Sequence, residues 1–203
     1  SVLYGTCVVP VRGTYDDAFA LSIAYTDTYG GINRNTAYNP MTVEGKKSVS
    51  IELYLQYGRS LPDIIYVPVG DGVILSGVYK GFADLKLAGL IDRLPQLVAV
   101  QASGSAAIAR AFESGSEQIL TKADTVADSI SVASPAAGKS ALRALKASGG
   151  WSVQIDDRAI LDAQLELAAT GGIFVEPAAA AAWAGAKQDA DQRRKLAPAN
   201  ADV

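Results

Sequence analysis

The sequence predicts an α/β protein, a parallel sheet with flanking helices. Three observations predict it. Apolar, β-branched runs alternate with segments of helical spacing through most of the chain. One such run, Ile-Tyr-Val-Pro-Val at residues 65–69, stops at Gly70-Asp71-Gly72, and a helical pattern opens directly afterwards at Val73. Hydrophobic residues make up 49% of the 203 residues and charged ones 19%, which is enough apolar material for a buried core.

The elements follow in order. Residues 6–11 read as a strand, with Cys7 inside it as a small buried hydrophobe. Residues 16–29 have helical spacing, with Thr14 as N-cap and Gly30-Gly31 as the stop. Residues 32–42 are polar, rich in Asn and contain Pro40, so they form a loop or an edge strand. Residues 44–57 are a helix ended by Gly58. The strand 63–69 precedes the glycine loop, and the helix 74–88 follows it, with Gly89 after its last turn. Pro95 leads into a strand over 97–101, and Ser103 caps a short helix over 103–112. Residues 113–134 are less regular and include the strand-like 129–132. A helix over 135–148, a short strand over 153–155, and a helix over 157–169 capped by Asp156 come next. Gly171-Gly172 terminates that helix, 173–175 is a candidate strand, and 177–187 is an Ala-rich helix whose run 178–182 is a tight-packing face. The alternation and the break at Pro62 divide the chain into a smaller domain, residues 1–59, and a larger one, residues 60–203. Residues 1–5 read as the end of a helix, and Asn200-Ala201-Asp202-Val203 as the approach to a further strand. The chain is therefore expected to be a piece of a longer protein.

Composition excludes much. The chain has no histidine, which removes Ser-His-Asp and Cys-His catalysis, His-based zinc sites and His general acid/base chemistry. The single cysteine allows no internal disulfide and no thiolate metal site. A net charge of −3 gives no electrostatic case for nucleic acid or an anionic membrane. No apolar run approaches the roughly 20 residues of a membrane span, and no signal peptide is visible. A cytoplasmic location fits these features.

The strand–glycine loop–helix sequence points to an anion. N–H groups of a first helical turn point outward, and the helix dipole favours negative charge there. A phosphate-bearing cofactor or substrate is the natural occupant. The loop lacks the Gly-Lys-Ser/Thr of a Walker loop, and Leu75 stands where a dinucleotide fingerprint has its third glycine. The same pattern also describes a tight turn without a ligand. Asp71 is an awkward neighbour for a dianion: its side chain must turn away or accept from donors at the mouth of the site, unless it only stabilises the helix N-terminus.

Several spaced segments resemble the threonine synthase family of pyridoxal-phosphate enzymes, which share fold type II with the tryptophan synthase β-subunit. They are Val11-Arg12-Gly13-Thr14-Tyr15-Asp16-Asp17-Ala18, Asn39-Pro40-Met41-Thr42-Val43-Glu44-Gly45-Lys46-Lys47 and Val67-Pro68-Val69-Gly70-Asp71-Gly72. Ser76-Gly77-Val78-Tyr79-Lys80-Gly81-Phe82, Leu94-Pro95, Val100-Gln101-Ala102 and Gly172-Ile173-Phe174-Val175-Glu176-Pro177-Ala178 continue the match in order. The resemblance implies a pyridoxal 5'-phosphate lyase acting on an amino acid, a homodimer when complete, with the larger domain binding cofactor. It implies that backbone N–H groups of Gly70, Asp71, Gly72, Val73 and Ile74 hold the cofactor phosphate, with Ser76 adding a hydroxyl donor. The family lysine that forms a Schiff base with the cofactor aligns before Ser1, and the partner of the pyridine nitrogen aligns beyond Val203, so no catalytic residue is expected here and the chain alone should be silent. Of the lysines present, Lys46 and Lys47 fall at a helix start, Lys80 lies behind the loop, and Lys86, Lys122, Lys139, Lys146, Lys187 and Lys195 read as solvated surface. Family members acting on O-phosphohomoserine clamp a second phosphate with Asn-Ser-x-Asn-Pro-x-Arg. The aligned residues here are Thr36-Ala37-Tyr38-Asn39-Pro40-Met41-Thr42, so Asn39 and Thr42 are the candidate substrate residues and a neutral Thr42 replaces the bidentate cation. Arg34, with Asn33 and Asn35, sits just upstream. The alternatives are a non-catalytic module binding a small phosphate-bearing ligand, or another fold type II lyase or dehydratase.

Overall fold

A computed structural model describes residues 2–116 and 119–196, with side chains described as far as residue 193. Asn200-Ala201-Asp202-Val203 and the side chain of Lys195 lie outside the described residues. Three parallel strands, β1 (Ile64–Pro68), β2 (Gln96–Ala102) and β3 (Trp151–Ile155), pair in the order β1-β2-β3. Tyr66, Val98 and Trp151 lie in register across the sheet, as do Pro68, Val100 and Val153.

The central strand explains why the sheet carries helices on both faces. Residues 97–102 are all buried, and their side chains alternate between two cores. Leu97 and Ala99 join Val67 and Val69 of β1 against Leu75, Val78 and Phe82 of α4 (Val73–Leu87) and Ala141, Ala144 and Leu145 of α6 (Gly138–Ser148). Val98, Val100 and Ala102 join Val153 and Ile155 of β3 on the other face. There they meet Ile160 and Ala163 of α7 (Asp157–Gly171) and Ala178, Ala180, Ala181 and Ala184 of α8 (Pro177–Leu196). Gly185 continues this close approach: a Cβ there would stand 2.6 Å from Val100 Cγ2.

Among its described residues the segment before the sheet holds no strand. After a 3-10 turn, Val2–Tyr4, it carries α1 (Tyr15–Tyr29), α2 (Pro40–Lys46) and α3 (Ser48–Gln56). A capping box starts α1: Thr14 N–H donates to Asp17 Oδ2 (2.7 Å), and Asp17 N–H donates to Thr14 Oγ1 (3.3 Å). Helices α2 and α3 lie against α4 because α4 presents glycines to them. A Cβ on Gly77 would stand 2.6 Å from Lys46 Cβ, and one on Gly81 would stand 2.5 Å from the Lys47 carbonyl oxygen. Buried Ser50 closes this contact by donating to the Val78 carbonyl (2.6 Å). Around its rim, Lys47 and Lys80 each pair with both Glu44 and Asp84 at 2.8–3.2 Å.

Several expectations are corrected. Residues 6–11 form no strand and Cys7 is exposed, because no described strand lies beside them to take up their ladder bonds. The expected helix 44–57 begins earlier, at Pro40 with Asn39 as cap, and breaks at Lys47. Residues 103–112 split into a 3-10 turn, Ser103–Ser105, and α5 (Ala107–Ser114), because Ala106 leaves helical geometry at φ −108, ψ 42. Ser103 makes no cap bond. The segment 129–132 is not a strand: a 3-10 turn covers Asp128–Ile130, and buried Ser105 takes the Val132 N–H. Residues 173–175 join no ladder, and Ile173 N–H bonds back to Leu167. The final helix runs past residue 187 to Leu196.

Candidate functional site

The loop at residues 70–72 leaves the carboxyl end of β1 and enters α4, the end of a parallel sheet where ligands settle. Gly72 is the N-cap, with φ 90 and ψ −4, a left-handed conformation open to glycine. The first helical bond of α4 is Ser76 N–H to the Gly72 carbonyl (3.1 Å). The backbone N–H groups of residues 70–75 have no acceptor among the described residues. All six residues line a cavity of about 910 Å³. These free donors at the positive end of a fifteen-residue helix suit a phosphate dianion.

The glycines serve the protein as much as a ligand. A Cβ on Gly70 would stand 2.8 Å from Ile130 Cα, and one on Gly72 would stand 2.9 Å from Ala141 Cβ. Their bareness lets the loop nest between the 128–132 segment and α6. Close approach to an anion was the reason expected from sequence; close approach to neighbouring chain is what the structure contains.

Asp71 turns away from the helix entrance. Its Oδ1 accepts from Ala136 N–H (2.6 Å), and its carbonyl accepts from Ala137 N–H (3.2 Å). Its Oδ2 is buried without a hydrogen-bond partner among the described residues. Burial pushes the Asp71 carboxyl above the usual carboxylate range; the Ala136 and Ala137 amides and Lys46 oppose this, and Asp16 adds to it. From across the cavity Asp16 accepts from Ala133 N–H (3.3 Å). The 133–137 segment is therefore held by one acid from α1 and one from the glycine loop. Burial likewise raises the Tyr15 hydroxyl, with the Asp71 charge next.

The other residues selected from sequence fall as follows. Val73 is buried and Ile74 half-exposed at the rim, so they offer backbone alone. Ser76 donates its hydroxyl to the Gly72 carbonyl (2.8 Å), inside the helix rather than toward the loop amides. Asn39 accepts from Met41 N–H (3.0 Å) as the α2 cap and donates to the Asn33 carbonyl (3.1 Å). Thr42 Oγ1, with its single hydrogen, lies within hydrogen-bond reach of the carbonyls of both Asn39 (2.7 Å) and Thr36. Both line a smaller neighbouring recess with Arg34, which shares Thr36 and Lys46 with the main cavity. Lys47 and Lys80 are held in the ion-pair cluster behind α4, and Lys187 pairs with Glu166. Sequence reasoning did not single out Tyr15, Asp16, Lys46 or the 128–133 wall as parts of the site. For Tyr15, Asp16 and Lys46 a signal existed, since they lie in segments that resemble the family; for the wall there was none.

Comparison with known proteins places the chain in a family. The chain is 36% identical over 193 residues to the threonine synthase of Methanosarcina acetivorans, covering 94% of this chain and 47% of that protein. It is 34% identical over 192 residues to the threonine synthase of Methanocaldococcus jannaschii, covering 93% and 47%. The chain thus spans about half the length of the curated relatives it matches. Among solved structures, maize serine racemase superposes with a TM-score of 0.73 at 22% identity, over 95% of this chain and 55% of that one. Escherichia coli threonine synthase does so with 0.70 at 19%, over 89% and 43%. These likenesses fix the fold as part of the fold type II architecture. The family profile described as "Pyridoxal-phosphate dependent enzyme" matches residues 2–202, nearly the whole chain, and the chain belongs to that family.

Proposed function

We propose that this chain is the central part of a threonine synthase-like lyase, and that residues 70–74 hold the phosphate of its pyridoxal cofactor. The observation that carries this reading is the row of unclaimed N–H groups at the mouth of α4, in a chain of a pyridoxal-phosphate dependent family. The cofactor, when bound, supplies an electron sink for negative charge developing at the substrate α-carbon. The residues present do simpler work. The loop amides and the α4 dipole bind and orient the phosphate. Asp71 and Asp16 hold the 133–137 wall in place, and the buried side chains of α4 keep the loop fixed on the sheet. Residues 1–59 then form a smaller domain seated on α4, and residues 60–203 the larger, cofactor-binding one. The absence of any strand before Ile64 among the described residues, and of buried residues in α1 and α2, supports that division.

The substrate in this reading is an amino acid, O-phosphohomoserine if the curated relatives are the guide. One observation favours a second reading, another fold type II lyase or dehydratase: Thr42 stands in place of a bidentate cation and gives its hydroxyl hydrogen to a backbone carbonyl. The test uses the complete protein reconstituted with pyridoxal phosphate. An absorbance band near ~410–430 nm is expected from the cofactor bound to its lysine. Threonine and inorganic phosphate formed from O-phosphohomoserine support the first reading; turnover of serine or threonine to ammonia, with none from O-phosphohomoserine, supports the second. No band would refute both.

A further inference from the structure

We propose that an anion binding at the glycine loop is accompanied by uptake of one proton, which resides on Asp71. This rests on the reading of residues 70–74 as a phosphate site and adds a pH control to it. Three observations carry it. Asp71 lies between the two loop glycines and lines the same cavity, so a carboxylate charge on it stands near any dianion held at the loop. Its Oδ1 has a donor, Ala136 N–H, but its Oδ2 is buried with none among the described residues. An orphaned carboxylate oxygen out of water is costly, and a neutral hydroxyl there costs less. The surrounding charge does not compensate for a second anion. Asp16 and Tyr15 face the cavity from α1, Lys46 from α2, and Lys122 and Asp128 from the opposite wall; the turn into α6 offers only the Ala136 and Ala137 amides. Lys46 is the cation acting favourably on the Asp71 carboxylate, and Asp16 opposes it.

The balance is simple. Solvent supplies the proton, Oδ2 takes it, and the carboxyl becomes neutral, so no like charge faces the incoming dianion. Burial already holds this carboxyl above the ordinary range, which brings the transition toward working pH. The sign follows from linkage. The neutral form binds the anion better, so affinity is greatest at low pH and declines as pH rises through the carboxyl's anion-free titration.

The test is calorimetric titration of the full chain with sulfate, which stays a dianion across the working range. Titrations in two buffers of different ionisation enthalpy count the protons taken up. For the native chain, uptake approaching one proton is expected where Asp71 is ionised, with affinity falling about tenfold for each pKa unit by which the anion raises it. Asp71→Asn keeps an acceptor for Ala136 and should abolish both the uptake and the pH dependence. Asp16→Asn removes a like charge and should move the transition to lower pH, which gives a second readout if Asp71→Asn folds poorly. Uptake that persists in Asp71→Asn, or native binding with no uptake and a flat pH profile, overturns the proposal while leaving the anion site intact. No sulfate binding at any pH overturns the anion site and this proposal with it.

Discussion

The segment before Pro62 and the sheet body after it reach order by different means. In the body, β2 is buried on both faces and two cores share its side chains. In the earlier segment, α1 and α2 bury no residue, and α3 buries only Ser50 and Tyr54. The body organises itself through apolar area, worth about 25 cal/mol per Å² removed from water. The segment is ordered locally by caps and turns, and its place on the body is set by a bare glycine face on α4. The site lies where the two meet: the body supplies loop and helix dipole, the segment supplies Tyr15, Asp16 and Lys46.

The largest expected effect sits at the junction. Gly72→Val places a β-branched residue at φ 90, with its Cβ 2.9 Å from Ala141 Cβ and 3.1 Å from the Ala137 carbonyl. Strain and overpacking together should cost about 3 kcal/mol or more and abolish sulfate binding at the loop. Thermal melting and calorimetry read both. An unchanged melting temperature with unchanged binding would mean the loop is not the tight nest described.

Gly81→Leu tests whether the segment borrows its position. The new side chain must displace the Lys47 carbonyl and Ser50. A loss of about 1–3 kcal/mol is expected. Proteolysis should release residues before 58 first, while amide exchange in β2 stays protected. Uniform loss of protection would merge the two regions into one cooperative unit.

Within the body, Asp189 is buried beneath the sheet, where it accepts from Tyr66 OH (2.7 Å) and pairs with Arg193 (3.0 Å). The Arg193 guanidinium stacks 4.0 Å from the Trp151 ring centre. Asp189→Ala should cost about 1–3 kcal/mol by stranding the Tyr66 hydroxyl, and leave loop binding untouched. Burial first, and then Asp189, pushes the Tyr66 hydroxyl from 10.0 up to about 12. The folded chain keeps that proton to higher pH than the unfolded one, so stability should decline as pH rises from 10.0 to about 12. Tyr66→Phe should flatten that decline in alkaline denaturation curves.

The smallest effect belongs to the segment alone. Thr14→Ala removes the α1 capping box and should cost about 1 kcal/mol of local helix stability, read as faster amide exchange in α1 with no change in β2.

Much of this was legible in the residues. Thr14, Asp156, Gly58 and the glycine loop announce element ends by chemistry that operates within a few positions, and the structure puts the ends there to within about two residues. The apolar runs at β1 and β2 point to a parallel sheet because strands buried on both faces need continuous apolar sequence, whereas β3 alternates Trp-Ser-Val-Gln-Ile. The free amides at the mouth of α4 follow from a left-handed glycine placed between a strand and a helix. The rest is set by partners distant along the chain. Residues 6–11 carry strand-like sequence but have no strand to pair with among the described residues, so they stay irregular and exposed. Residues 129–132 look like a strand and become a cavity wall because buried Ser105 takes the Val132 amide. Whether Asp71 faces an anion or anchors a wall could not be read locally, since its partners Ala136 and Ala137 lie more than sixty positions away. The sequence by itself determined β1, β2, β3, their flanking helices and the glycine loop, because these depend on short-range sterics and periodicity, and its spaced motifs carried the family resemblance. Tertiary structure decided which acids meet in the cavity and which buried oxygen lacks a donor, because those depend on how two cores bring separate segments together.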